Sequence, residues 1–302
     1  MLVESPERRR AYRLGLLMAM AGTLMLSLKP VLIKIAFAEG ASADAVLAYR
    51  MLLSLPVFLL VGVHAWRRLE VKPAVRDLVP AMGVGVVGYY VASYLDVVGL
   101  QYVSAQLERL TLFTYPGIVV LASAALGRQR IAGRTLLALL LTYGGLLVLF
   151  GGDVRAEGSR DVVRGTLLVL ASAVAYAIYL MLSGRQIARL GSALFTAVGM
   201  SAACVMMIGH IALIDGPAGF VIGATPLAWV ALVALFSTIL PVFLVSAAIG
   251  RVGAPVASVV GCSGPVATSL VAVAVLGEPF GPLHAAGLAL ASAGMLLLGR
   301  SR

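Results

Sequence analysis

Apolar runs of roughly 20 residues, each long enough to cross a bilayer, follow one another along the chain with short polar breaks between them. The pattern predicts ten spans, at about 13–38, 42–64, 78–98, 101–126, 131–151, 165–188, 192–214, 226–249, 252–276 and 282–299. Residues 1–13 are polar and end in Arg8, Arg9, Arg10 and Arg13. No small-residue cleavage site leads into a soluble domain, so this segment reads as a tail before the first span, not a signal peptide. Asp153 to Arg164 reads as a polar extracytoplasmic linker. The expected fold class is an all-α polytopic membrane protein of ten transmembrane helices. Residues 1–152 and 165–302 form two five-helix units joined by the linker 153–164.

Composition narrows this further. The chain is 61% hydrophobic and 12% charged, whereas soluble domains are about 25% charged. That excludes a soluble enzyme with a buried core. The 33 glycines suit membrane helices, where small residues let backbones approach. Asparagine is absent, so there is no glycosylation sequon. Cys204 and Cys262 both sit in apolar runs, which argues against a structural disulfide. The net charge of +10 does not indicate nucleic acid, because the basic residues lie at span ends and not in one patch with interleaved aromatics. They read as topology signals. With the N-terminus inside, sixteen of the 23 Lys and Arg residues fall on the cytoplasmic side. Only Arg155, Arg160 and Arg164 fall outside, and four lie within spans. This predicts a multi-pass protein of the cell (inner) membrane with both termini cytoplasmic.

The second half repeats the first at an offset near 150. Gly15-Leu16-Leu17 answers Gly165-Thr166-Leu167, Pro116 answers Pro265, Ala125-Leu126-Gly127 answers Val275-Leu276-Gly277, and Gly144 answers Gly294. Two copies of a five-span unit must insert with opposite orientation, so the pattern predicts inverted repeats, an architecture of secondary transporters with a site near the midplane.

Several motifs carry a family likeness. They are Lys29-Pro30-Val31 through Lys34, Ala48-Tyr49-Arg50, Glu108-Arg109-Leu110 to Thr114-Tyr115-Pro116, and Leu276-Gly277-Glu278-Pro279. With the two five-span halves, the chain resembles the EamA-type branch of the drug/metabolite transporter superfamily over nearly its whole length. The resemblance implies export or exchange of amino acids and other small metabolites. One departure is Arg128, where that family often has an acid after the Leu-Gly closing the fourth span.

Charges inside spans are costly and mark candidate sites. Glu108 and Arg109 are adjacent on a helix and point about 100° apart, so they cannot simply pair with each other. Glu108, Thr111, Leu112 and Tyr115 share a face. Glu108 either faces a central cavity, contacting substrate or carrying a coupled proton, or is ion-paired with Lys29, Lys34 or Arg50. Lys29 is too deep to snorkel easily and is a carboxylate clamp or the partner of Glu108. Lys34 is expected to snorkel to the outer interface, and Arg50 to snorkel or anchor the second span. In the sixth span, Ser172, Tyr176, Tyr179 and Ser183 form one polar stripe. Tyr90 and Tyr94 share a face near the outer gate. Asp96 is expected at the outer end of the third span, solvated. Ala81, Gly85, Gly88 and Ala92 form a small-residue stripe for packing. The residues assigned to substrate are thus Glu108, Lys29, Tyr115, Tyr176, Tyr179, Tyr90, Tyr94 and Ser263. Arg109, Arg50, Pro116 and Pro265 are structural or coupling residues.

An enzymatic alternative rests on Gly261-Cys262-Ser263-Gly264, which matches the surroundings of the nucleophile in intramembrane serine proteases. It needs a histidine to activate Ser263, and His284 is expected well away in depth. A local account is simpler: Gly261, Gly264 and Pro265 loosen the ninth span at mid-membrane. With no metal-spaced His/Cys set and no P-loop, the chain is expected to use no cofactor and no metal. The expected partners are a small-molecule substrate and the lipid bilayer, with no nucleic acid. The expected activity is secondary transport by alternating access, as uniport or as proton-coupled exchange, not catalysis. No pattern in the chain specifies the substrate, the coupling ion or an oligomer.

Overall fold

The computed structural model describes residues 6–127, 132–157, 159–252, 256 and 260–299. Arg128, Arg130, Arg300 and Arg302 of the expected charge bias lie outside them, as do Ala257 and Ser258, the repeat partners of Glu108 and Arg109. The described residues are helical, with no strand among them. In chain order the helices are α1 (Pro6–Ala38), α2 (Ala43–Arg67), α3 (Val75–Leu100) and α4 (Ala105–Leu112). They continue with α5 (Tyr115–Ala125), α6 (Gly133–Glu157), α7 (Ser159–Leu190) and α8 (Ser192–Ile214). The last are α9 (Ala224–Ala234 continued by Leu240–Val252), α10 (Gly264–Leu276) and α11 (Pro282–Gly299).

Among the described residues, seven helices are long and apolar enough to cross a membrane: α1, α2, α3, α6, α7, α8 and α9. The distribution of side chains is that of a protein dissolved in lipid. Leu60 is 71% and Leu147 68% exposed, while Glu108, Asp96, Arg50 and Arg109 are all buried. Water would reverse this order.

The expected fourth span, 101–126, is not one helix. It breaks at Phe113-Thr114 into α4 and α5. Pro116 has no N–H to give the carbonyl of Leu112, so the ladder cannot run through. Thr114 closes the gap: its N–H donates to the Thr111 carbonyl at 3.1 Å and its hydroxyl to the same oxygen at 2.7 Å. The same device recurs 149 residues on. Ser263 N–H donates to the Val260 carbonyl at 3.1 Å and Ser263 Oγ at 2.7 Å, just before Pro265. A π-helical turn widens α3 at Val86–Val91, and another sits in α9 at Leu235–Ile239, again offset by 149.

The stretch 153–164 is helical: α6 runs to Glu157 and α7 starts at Ser159, so Asp153 and Arg155 to Arg164 lie on helices, Gly158 alone being outside the described residues. Asp153 is 1% exposed because it is hydrogen-bonded inside the bundle. Arg164 covers the ring of Tyr102, its guanidinium carbon 4.5 Å from the ring centre.

Small residues set the helix spacing. The stripe Ala81, Gly85, Gly88, Ala92 on α3 packs as expected: a Cβ on Gly85 would fall on the Gly199 backbone of α8, and one on Gly88 on the Tyr179 ring of α7. α6 and α11 meet the same way, with a Cβ on Gly287 only 2.7 Å from the Gly145 carbonyl oxygen. The largest apolar core joins Val46, Leu47 and Met51 of α2 to Cys204, Met207 and Ile211 of α8. Both cysteines are free.

Candidate functional site

α1, α3 and α4 converge on one buried ionic cluster. Lys29 of α1 donates from Nζ to Asp96 Oδ2 of α3, and lies 3.3 Å from Glu108 Oε1 of α4. Of the partners considered for Glu108, the one within ion-pair distance is Lys29. Glu108 is fully buried, against Lys29 and Asp96. Asp96 is not solvated at a helix end, as its place near the span terminus had suggested. It is 3% exposed, because the small-residue stripe of α3 continues from Ala92 by one turn to Asp96 and turns it toward α1. That continuation is the signal that would have found it.

Of the two readings of Arg50 on α2, snorkelling does not occur: it is 3% exposed, beside Asp96, with Nε lacking a hydrogen-bond partner among the described residues. Arg109 is equally buried, and its guanidinium carbon sits 4.9 Å over the Phe113 ring. Neither arginine lies within ion-pair distance of a carboxylate among the described residues. At contact range the cluster thus holds one ammonium and two carboxyl groups. Glu108 Oε1 and Oε2, Asp96 Oδ1, Thr111 Oγ1 and the two arginine Nε atoms have no hydrogen-bond partner among the described residues. Buried polar groups are ordinarily paired, so this concentration of available donors and acceptors in one place suits the binding of a polar solute or a proton.

Beyond Arg109 an aromatic path crosses to the second half. Phe113 meets Tyr115 with ring centres 6.0 Å apart, Tyr115 meets Tyr176 edge-on at 4.9 Å, and Tyr176 stacks on Tyr179 at 5.5 Å. The Tyr179 hydroxyl then bonds that of Tyr89 at 2.6 Å. Tyr89 was not singled out from sequence. The π-helical turn of α3 brings it forward, sending Tyr89 to α7 and its neighbour Tyr90 to His210 of α8 at 2.9 Å. Tyr94 packs on the same imidazole at 5.0 Å. The Tyr90–Tyr94 pair is thus held by His210, apart from the Tyr115–Tyr176–Tyr179 group. The expected stripe on α7 divides by role. Ser172 donates to the Ala92 carbonyl at 2.7 Å and Ser183 to Leu180 at 3.0 Å, both structural bonds.

A second polar web ties the start of α4 to two other helices, α6 and α11. Ser104 caps Leu107 N–H at 3.0 Å and donates its hydroxyl to Asp153 Oδ2 of α6 at 2.6 Å. Asp153 Oδ1 lies 3.1 Å from His284 Nε2 of α11. Gly281 N–H donates to His284 Nδ1 at 3.2 Å, so the ring hydrogen is on Nε2 and points to Asp153. Sequence reading missed this web because its members are far apart in the chain. It also removes the partner that Ser263 would need: His284 is committed to Asp153, and Ser263 Oγ to its own turn. Nothing here supports a serine hydrolase.

The sequence model of the EamA-like transporter family matches residues 13–151 and again residues 163–300. The uncharacterized transporter YcbK of Bacillus subtilis (strain 168) is 32% identical over 292 residues, covering 95% of this chain and 93% of that protein. The uncharacterized transporter YetK of the same organism is 26% identical over 219 residues, covering 70% and 64%. A solved crystal structure shares the fold, with a TM-score of 0.63 at 19% identity over 94% of this chain and 95% of that chain. With both halves matched and long apolar helices throughout, the protein is a membrane-embedded multi-pass transporter, and the chain belongs to the EamA-like transporter family.

Proposed function

We propose that the protein is a secondary transporter that exports or exchanges a small metabolite, an amino acid or a related solute, by alternating access. Its bundle is read as ten crossing segments in two inverted five-helix halves, in the cell (inner) membrane with both termini cytoplasmic. The matched turns at Thr114 and Ser263, the matched π-helical turns and the twofold family match favour that reading. The broken segments α4–α5 and 260–276 each count as one crossing, as expected of discontinuous helices that line a transport site.

The observation that carries the reading is the Lys29–Asp96–Glu108 cluster. Buried charge in a membrane bundle is expensive and persists where a solute or ion needs it. A solute bearing both an ammonium and a carboxylate could exchange with these partners, its ammonium facing Glu108 and Asp96 and its carboxylate facing Arg109. The Tyr115–Tyr176–Tyr179 group would form an adjoining wall. Proton coupling follows the same geometry. Asp96 and Glu108 both face Lys29 Nζ, and a proton taken up by one of them would leave a single ionised carboxylate opposite the single ammonium.

The test is counterflow in proteoliposomes, screened across amino acids and related metabolites at several pH values. At least one solute is expected to exchange saturably. Glu108→Gln should abolish that exchange or flatten its pH dependence. Flux in the variant identical to wild type at every pH would defeat the assignment of Glu108, and a panel with no solute above protein-free vesicles would defeat the substrate class.

A further inference from the structure

We infer that Glu278 is a positioning residue that latches α4 from the opposite half of the molecule and closes the bundle at the end carrying residues 153–164. The inference rests on the transporter reading above. Gly277 ends α10 with φ +66°, a conformation that suits glycine, and turns the chain so that Glu278 faces the start of α4. Its carboxylate accepts from two of the free N–H groups there, Ala105 N at 2.6 Å and Gln106 N at 3.3 Å. The Gln106 side chain returns a bond to the Pro279 carbonyl at 3.2 Å. The third N–H, Leu107, is capped by Ser104 from α4's own side. A helix N-terminus that could be capped locally is instead held by a charged group some 170 residues away in sequence.

Two features make this contact a latch and not a plain cap. First, α4 carries Glu108 and Arg109 about one turn below Ala105, so whatever fixes α4 fixes the place of Glu108 in the ionic cluster. The bond joins α10 to α4 where the two helices pack on each other and on α1, and the latch holds them together at this end of the bundle. Second, the device is one-sided. Gly127 repeats the conformation of Gly277 at φ +67°, but the residue that follows it in sequence is Arg128, where Glu278 follows Gly277. A cation cannot accept from N–H groups, so the acid of this latch has no acidic counterpart in sequence 150 residues earlier.

The test uses full-length protein in lipid vesicles and needs no substrate. Amide exchange at Ala105 and Gln106 is compared in wild type, Glu278→Ala, Glu278→Gln and Glu278→Asp. In parallel, a membrane-impermeant maleimide is added on the side bearing residues 153–164 to Thr111→Cys protein whose Cys204 and Cys262 are replaced by alanine. Thr111 is fully buried below Glu108. Loss of a charge-assisted bond predicts that Glu278→Ala speeds both exchange and labelling by roughly tenfold or more. Glu278→Gln should show a smaller rise, and Glu278→Asp a partial rescue. Leu107 should change less than its two neighbours, and the α2–α8 amides not at all. Unchanged exchange at Ala105 and Gln106 would overturn the cap. Faster exchange there without faster labelling would overturn the latch, as would a uniform rise across the chain. A latch that opens as predicted in a protein that moves no solute would count against the transport reading alone.

Discussion

The break between α4 and α5 and the break before α10 are built alike and equipped differently. In each, a hydroxyl three residues after a carbonyl bonds it at 2.7 Å, and a proline follows two residues later. In the first, the preceding turn carries Glu108 and Arg109; at the equivalent positions the second has Ala257 and Ser258 in sequence. The comparison separates two jobs. The break opens a helix in the membrane, and any sequence with the hydroxyl and the proline can make it. The charges give one break its chemistry, and they persist because α1 and α3 supply Lys29 and Asp96 opposite them.

The comparison is broken hardest at Lys29. Lys29→Met leaves two buried carboxyl groups without their ammonium and should cost about 3–5 kcal/mol, read as a lowered unfolding midpoint in detergent. Adding Asp96→Asn and Glu108→Gln should recover much of that loss. If the triple variant is no more stable than the single one, Lys29 acts through packing, not through charge. Next comes Gly85→Ala, which places a methyl on the Gly199 backbone and should cost about 1–3 kcal/mol through forced separation of α3 and α8. Circular dichroism melts would read it, and Gly133→Ala, where an added Cβ meets nothing, is the control.

Thr114→Ala and Ser263→Ala sharpen the likeness between the two breaks. Each removes one side-chain bond to a carbonyl and should cost about 0.5–1.5 kcal/mol, more at the buried Thr114 than at the exposed Ser263. The smallest stability effect belongs to Glu108→Gln. The shape is kept and Lys29 retains Asp96, so the unfolding free energy should move by less than about 1 kcal/mol, while solute flux or its pH dependence changes strongly.

Much of the fold was legible before any coordinates. Runs of some 20 apolar residues permit little but membrane helices, since unpaired backbone groups are not tolerated in lipid. Pro116 and Pro265 could be read as breaks, because a missing N–H is a local fact. So could the packing stripe of α3, whose spacing is that of one helix face. Glu108 and Lys29 could be nominated because charge in an apolar run is anomalous wherever it occurs.

Only the tertiary structure decided who meets whom. The stripe of α3 carries Asp96 inward, but that its partner there is Lys29 depends on where α1 packs. Tyr89 became a contact of Tyr179 through a π-helical turn that periodicity does not announce. Asp153, placed in a linker by its polarity, is buried because Ser104 and His284 come to it from distant helices. Glu278 was visible as part of a motif, but its partners are backbone N–H groups, which no side-chain pattern encodes. Local composition determines that a segment is a helix in lipid and where it must break; contacts between segments distant in sequence depend on how the helices pack, and that is settled only when the bundle closes.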